Sequence, residues 1–185
     1  HCDKLGLIVW QDMVNGGGAY PMWYVTYLTN ALQPLLRYAP DGKLLWGLLG
    51  RGSARSREEY SRELADTVAA LGQHPSIGCW VPFNEGWGQF DAEKATKALR
   101  ALDPTRLVDE ASGWFDRGGG DVHSIHNYFY PLRIRPKART VALSEYGGIA
   151  WPMPGHEPPR KTYGYGTVRS RAELTGRCLL YTSPS

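Results

Sequence analysis

Cysteine is scarce in this chain: 185 residues hold three, Cys2, Cys79 and Cys178. So small and odd a set makes no disulfide framework, and without a C-x-x-C pair there is no thiolate zinc knuckle. Long apolar runs are missing too. No stretch approaches the ~18–20 unbroken apolar residues that cross a bilayer as a helix, so no membrane partner is expected. A charge excess is also lacking: 21 Lys plus Arg face 18 Asp plus Glu, a formal net charge of +3. That gives no electrostatic ground for a nucleic-acid partner. No G-x-G-x-x-G or Walker A run follows an apolar segment, which counts against nucleotide binding. What remains is 42% hydrophobic and rich in aromatics, with 7 Trp, 11 Tyr and 4 Phe. That composition suits one globular domain, by a prior of ~100–200 residues per domain.

The ends are unusual. His1 leads almost at once into an apolar run, with neither Met nor a recognisable leader. Cys178–Ser185 reads as translated adapter sequence. The expectation is an internal fragment: residues 1–177 as one truncated domain and 178–185 as a non-native tail. With the natural start missing, location is unknown, and the cytoplasm is only slightly favoured.

Leu5–Trp10 is nearly continuous in apolar residues and predicts a strand buried on both faces. Trp23–Leu36 can hold a helix that Pro34 disturbs. Ser56–Gly72 is the clearest helix, with Ser56 and Glu59 as a capping box and Gly72 as its C′ residue. Tyr60, Leu64, Val68 and Leu71 share one face of it. Ile77–Phe83 reads as a second buried strand. Asp91 caps a helix to Leu102, with Ala95, Leu99 and Leu102 inward. Shorter strands follow at Arg106–Asp109, Asp121–His126 and Thr140–Leu143. Residues 150–166 read as a loop, and a last helix starts at Ser170. Repeated βα units with apolar strands imply an α/β fold with a parallel sheet.

In such folds ligands bind at the C-terminal ends of the strands. Polar residues gather there: Asp12, Asn84-Glu85, Asp109-Glu110, His126 to Tyr128, and Glu145. Glu85 and Glu145 close strands three apart. On a closed eight-stranded ring such strands stand nearly opposite, so two carboxylates can face each other across a sugar. Retaining glycosidases need such a pair ~5–5.5 Å apart. Either glutamate alone fits a salt-bridged rim residue equally well. Trp87, Trp114 and Trp151 follow strand-end polar residues and suit stacking on a pyranose, or plain packing. Trp10 and Trp80 lie within strands and read as core.

His74-Pro75-Ser76-Ile77, Trp80 and Phe83-Asn84-Glu85 together resemble the H-P-S-[IV]-x-x-W-x-x-x-N-E motif of glycoside hydrolase family 2. Asp103-Pro104-Thr105-Arg106, Asp121 to Tyr128, Ser144-Glu145-Tyr146-Gly147 and Asp3 to Leu7 resemble further segments of that family, in order. The resemblance implies a partial (β/α)8 TIM barrel with its third to seventh strands clear, out of ~250 residues in a complete one. It implies a retaining exo-β-glycosidase acting on a β-glycoside or oligosaccharide, with β-galactosidase as default and β-mannosidase or β-glucuronidase as alternatives. It makes Glu85 the acid/base and Glu145 the nucleophile. Asn84, Asp12, His126, Tyr128, Trp151 and Trp87 become substrate contacts, with no cofactor and no metal. The parent would be a homo-oligomer candidate, and the fragment alone inactive. Two other readings stay open: a non-catalytic sugar-binding descendant, and a metal-dependent hydrolase built on Asp121, His123 and His126. Strand alternation speaks against the latter, placing His126 on the other face from Asp121 and His123.

Overall fold

The computed structural model describes residues 1–14, 17–18, 35, 39–128, 134–135, 137–153, 155 and 164–182. In chain order the elements are α1 (Cys2–Leu5), β1 (Val9–Asp12), α2 (Lys43–Leu48), α3 (Ala54–Leu71), β2 (Ile77–Val81), β3 (Phe83–Asn84) and α4 (Ala92–Leu102). They continue with β4 (Leu107–Val108), β5 (Ala111–Ser112), β6 (Val122–Asn127), β7 (Thr140–Tyr146), β8 (Ile149–Ala150), β9 (Gly166–Thr167) and α5 (Arg171–Thr182). The fold is mixed α/β, and every strand pairing among the described residues is parallel. The pairings make four small sheets, β1-β2-β4, β3-β5, β6-β7 and β8-β9, rather than a closed ring. They follow one another in space: β3 and β5 extend β2 and β4 past short breaks, and the Asp121 N–H donates to the Val108 carbonyl (2.8 Å), joining β4 to the start of β6. Within each sheet, parallel pairing puts the strand C-terminal ends on one edge.

Helix α3 buries Tyr60, Leu64 and Val68, the face expected from their spacing. They pack with Ile77, Trp80, Phe83, Phe90, Leu99 and Val108 into the main core. Tyr60 stacks on Phe83 (centroids 5.1 Å) and its hydroxyl donates to the Pro82 carbonyl, which the break between β2 and β3 leaves free of the ladder. The capping box at Ser56 and Glu59 does not form. The helix begins two residues earlier with Ser53 as N-cap, and Glu59 pairs with Arg55 (2.9 Å). Arg51, almost fully buried, donates to the Ser56 hydroxyl (3.0 Å), which takes that side chain out of any cap. At the start of α5 the Ser170 hydroxyl accepts from the Glu173 N–H (3.2 Å), and the Glu173 carboxylate accepts from the Arg169 N–H (3.0 Å). Gly72 is right-handed (φ −60°), not left-handed. Its need for glycine is space, since a Cβ would lie 2.6 Å from the Val68 carbonyl oxygen.

Other expectations change as well. Asp91 is the N-cap of α4, but its side chain makes no cap bond. The Asp41 carboxylate accepts from the Asp91 and Ala92 N–H groups (3.2 and 2.9 Å) in its place. Leu102 is 48% exposed rather than inward, because α4 ends as it leaves the core. Leu5–Trp10 is not one buried strand. Its first residue closes the turn α1, and Ile8 and Trp10 are 83% and 41% exposed, because β1 pairs on one side only among the described residues. Part of the loop expected over 150–166 is strand β9. The helix expected over Trp23–Leu36 lies outside the described residues, Leu35 excepted. Helix α5 takes in part of the expected tail, through Thr182.

The Asp103-Pro104-Thr105-Arg106 segment is a clamp. Asp103 accepts from the Trp80 indole (2.9 Å), the Thr105 N–H and hydroxyl (3.0 and 2.6 Å) and Arg106 (2.5 Å). Arg106 also donates to the carbonyls of Gly72, His74 and Ile77 (2.8–2.9 Å), tying the end of α3 to the start of β2. Burial pushes the Asp103 carboxyl up, but its hydrogen bonds outweigh that and hold it well below the usual range. A carboxyl depressed on folding stabilises the fold above its unfolded pKa of ~4 and loses that contribution as pH falls. Asp103→Ala should therefore lower unfolding free energy by about 3 kcal/mol in urea titration at pH 7. The deficit should shrink as the pH is brought down through 4.

Candidate active site

The β6–β7 pairing carries an irregularity that sets the site. Ile125 pairs with Leu143, but His126 pairs with Glu145, so Ser144 is the extra residue of a bulge. A bulge re-aims the side chains on either side of it. Ser144 and Glu145, though consecutive, both reach the face carrying Ser124 and His126: the Ser144 hydroxyl meets Ser124, and Glu145 Oε1 lies 3.7 Å from His126 Nε2.

Glu85 arrives from the other side. It follows β3 with φ +53°, a left-handed backbone uncommon for a non-glycine residue. Its N–H is held by the Ser112 carbonyl (2.9 Å). Gly86 is left-handed too, and a Cβ there would sit 2.1 Å from the Phe115 ring. The Glu85 carboxylate meets His126 Nδ1 (2.9 Å), the Tyr128 hydroxyl (2.6 Å) and the Trp87 side chain. Tyr128 also hydrogen-bonds Glu145 Oε2, so one phenol bridges both glutamates. Tyr128 itself stacks on Tyr165 (centroids 4.3 Å). The His126 side chain is fully buried, and its Nε2 lies 2.9 Å from the Ser112 hydroxyl. Gly113 makes room for that ring, since a Cβ there would come within 2.2 Å of it.

A cavity of about 350 Å³ opens beside Glu145, lined by Trp10, Asp12, Ser112, Ala142, Leu143 and Ser144. Asp12 is the last residue of β1. Burial first, then the charges of Glu145 and Asp109, push its carboxyl up to about 6. Asp109 is almost fully buried and raised for the same first reason, although the Trp10 indole donates to it. Burial and the two carboxylates hold the Tyr128 phenol protonated far into the alkaline range. Burial pushes Glu85 up, but its bonds from His126, Tyr128 and Trp87 outweigh it, so its carboxyl lies below the ordinary value.

Of the residues singled out from the sequence, Glu85, Glu145, His126, Tyr128 and Trp87 form one connected group, and Asp12 lies on the adjoining cavity. Asn84 closes β3 in register with Ser112. Trp151, just past β8, is half-buried and makes no hydrogen bond to the pair. Trp114 packs beside Phe115, Leu45 and Leu49. Asp121, His123 and His126 do not converge: Asp121 pairs with Arg100 (2.8 Å) and His123 with Asp116 (2.7 Å). The metal-type donors that do converge are Glu85, His126 and Glu145, with one atom from each within 4.8 Å of the others. Trp10 corrects its core reading: it lines the cavity, and its indole donates to Asp109 (3.3 Å). Strand alternation held that signal, since Trp10 and Asp12 are two apart. Ser112 carried no motif, Ser124 and Ser144 lay within family-like segments without an assigned role, and Asp109 carried only the signal of a polar strand-end residue.

The Asp12 carboxyl checks this electrostatic picture. By carbon-13 NMR its midpoint should lie near 6 and fall in Glu145→Gln, because removing a nearby negative charge favours ionisation. Being raised on folding, Asp12 should make stability decline from its unfolded pKa of ~4 up to about 6.

No family model matches the chain. Beta-mannosidase B of Thermothelomyces thermophilus is 30% identical over 95 residues, 51% of this chain and 8% of that protein. This chain thus spans under a tenth of the curated relative it matches. Among solved structures, a β-glucuronidase of Parabacteroides merdae, also determined with glycerol in its active site, is similar over 69% of this chain and 14% of that one, with 19% identity and a TM-score of 0.39.

Proposed function

We propose that this chain is part of the catalytic domain of a retaining β-glycosidase of the glycoside hydrolase family 2 type. In this reading β1 to β9 are an arc of a (β/α)8 barrel. One observation carries it: Glu85 and Glu145 stand at the same end of parallel strands, with carboxylate atoms within 4.8 Å, bridged by the Tyr128 phenol. That separation fits a nucleophile and an acid rather than the ~6.5–9.5 Å that leaves room for an inverting water.

Glu145, 43% exposed and facing the cavity, is the nucleophile. It attacks the anomeric carbon while Glu85, 12% exposed, gives its proton to the leaving oxygen. Glu85 then takes a proton from the water that releases the glycosyl-enzyme. Tyr128 stays protonated and orients both carboxyls. Asn84 and Asp12 bind sugar hydroxyls, and Trp87, Trp151 and Trp10 offer faces to the ring. The curated relative favours a β-mannoside, and neither compared protein is named a galactosidase, so the galactoside default has no support from them. The described cavity residues include two carboxylates and no Lys or Arg, which suits a neutral sugar better than a uronic acid.

The test is turnover of nitrophenyl β-glycosides by the full-length parent that carries this segment, with β-mannoside the expected best substrate. Glu145→Gln should abolish it. Glu85→Gln should lower it by about 10²–10⁴. Chelation should leave it unchanged. Undiminished turnover by Glu145→Gln would overturn the reading.

A further inference from the structure

Tyr128 lies one residue past the end of β6, yet its hydroxyl has to meet Glu85 (2.6 Å) on one side and Glu145 on the other. Two hydrogen bonds at the tip of a side chain do not by themselves fix the ring behind it. A further restraint comes from Tyr165, which stacks on that ring with centroids 4.3 Å apart and planes 21° from parallel. This is close to the stacked arrangement that aromatic pairs favour. Any swing of Tyr128 about its Cα–Cβ bond takes its ring off the Tyr165 face.

Tyr165 is itself seated from the strand that carries Glu145. β7 ends at Tyr146, and Gly147-Gly148 lead from it into β8. The Tyr165 N–H donates to the Gly148 carbonyl (2.8 Å), and Gly166 pairs with Ile149. The Tyr165 ring then lies over Gly148, where a Cβ would come within 2.5 Å of it. Gly148 is also left-handed (φ +69°), so space and backbone together keep a side chain out of the place that Tyr165 fills. This seat does not serve the core. Tyr165 is 40% exposed and belongs to neither hydrophobic cluster among the described residues. What its ring covers is the face of the bridging phenol.

We propose that Tyr165 is a positioning residue, seated over Gly148, that holds Tyr128 where one phenol reaches both Glu85 and Glu145. The consequence for turnover rests on the glycosidase reading, whereas the placement of the phenol does not. Without the stack Tyr128 keeps its hydroxyl but loses its aim, and it no longer sets the separation of the two carboxyl groups. That loss falls on the reacting groups, so it belongs to kcat rather than KM. A misplacement on the order of 1 Å costs about 10²-fold in rate. The phenol can also be followed without turnover. Burial and its two carboxylate partners hold it protonated far into the alkaline range. A phenol released toward solvent returns to an ordinary midpoint of ~10.

Carbon-13 NMR of the chain labelled at tyrosine reads both ring and phenol, with Tyr128→Phe identifying the resonances. In the wild type the Tyr128 ring should be shifted upfield by the Tyr165 ring current, and its phenol should stay protonated well above about pH 10. In Tyr165→Leu the upfield shift should vanish and the phenol midpoint should fall toward ~10. Tyr165→Phe keeps a ring and should restore both. Gly148→Ala leaves residue 165 unchanged but displaces its ring, and should lower the phenol midpoint in the same direction. In the full-length parent that carries this segment, Tyr165→Leu should lower kcat on its best β-glycoside by about 10²-fold with KM little changed, and Tyr165→Phe should recover it. A wild-type Tyr128 ring without the upfield shift overturns the proposal, and that measurement needs no variant to fold. A phenol midpoint that stays put in Tyr165→Leu and Gly148→Ala overturns it as well. A parent with the expected phenol behaviour but no turnover of any β-glycoside sinks the glycosidase reading alone. An active parent whose Tyr128 is indifferent to Tyr165→Leu sinks the positioning role alone.

Discussion

The phenol of Tyr128 holds one proton and touches two carboxyl groups. Two carboxylates this close repel, and burial of Glu85 makes the repulsion more costly. A neutral hydroxyl between them donates to one and accepts from the other, provided the second carries a proton. The phenol thereby ties the two carboxyl groups to one point and sets their separation before any ligand enters. The rest of the site serves this geometry. The bulge at Ser144 brings Glu145 level with His126, and the bend after β3 turns Glu85 back toward the same imidazole. Both then meet at the Tyr128 hydroxyl, although β3 and β7 belong to different sheets.

The segments that resemble the glycosidase family divide into two physical classes. Asp3 accepts from Ser76 N–H (2.9 Å) and meets His74 (2.7 Å), fastening α1 to the approach of β2. Asp103 and Arg106 fasten the end of α3 to β2 and β4. None of these five touches the carboxylate pair. They set the spacing of β1, β2 and β4, and so where the strand ends stand. Asn84-Glu85, His126, Tyr128 and Glu145 occupy those ends. A motif of this kind mixes residues that build the frame with residues the frame presents.

Most of the frame was legible because burial leaves a period in the sequence. The spacing of Tyr60, Leu64 and Val68 gave α3, and the apolar run from Ile77 gave β2. The helix ends were less legible. Ser53 and Asp41 do the capping expected of Ser56 and Asp91, and the Asp41 cap comes from 50 residues away, where no local pattern reports it. In the candidate site, charged residues at strand ends announced themselves, but hydroxyls did not. Ser112, Ser124 and Ser144 meet through three different strands, a contact that only the register creates. Trp10 was misread because an aromatic within an apolar run has the same sequence environment whether it faces a core or a cavity.

The backbone at Glu85 explains why the frame must be so firmly tied. A left-handed non-glycine residue costs on the order of 1–3 kcal/mol and persists only where its surroundings over-determine it. Here the N–H is fixed to Ser112, and the carboxylate is held by His126, Tyr128 and Trp87. The following residue is left-handed as well, and no side chain fits there against Phe115. Glycine at position 85 would relieve the strain but would remove the group that the bend presents. The strain therefore falls on the residue whose side chain the neighbouring strands are arranged to receive. The clamp at Asp103 and Arg106 ties the start of β2, the strand that leads into the bend, and so helps keep it from relaxing.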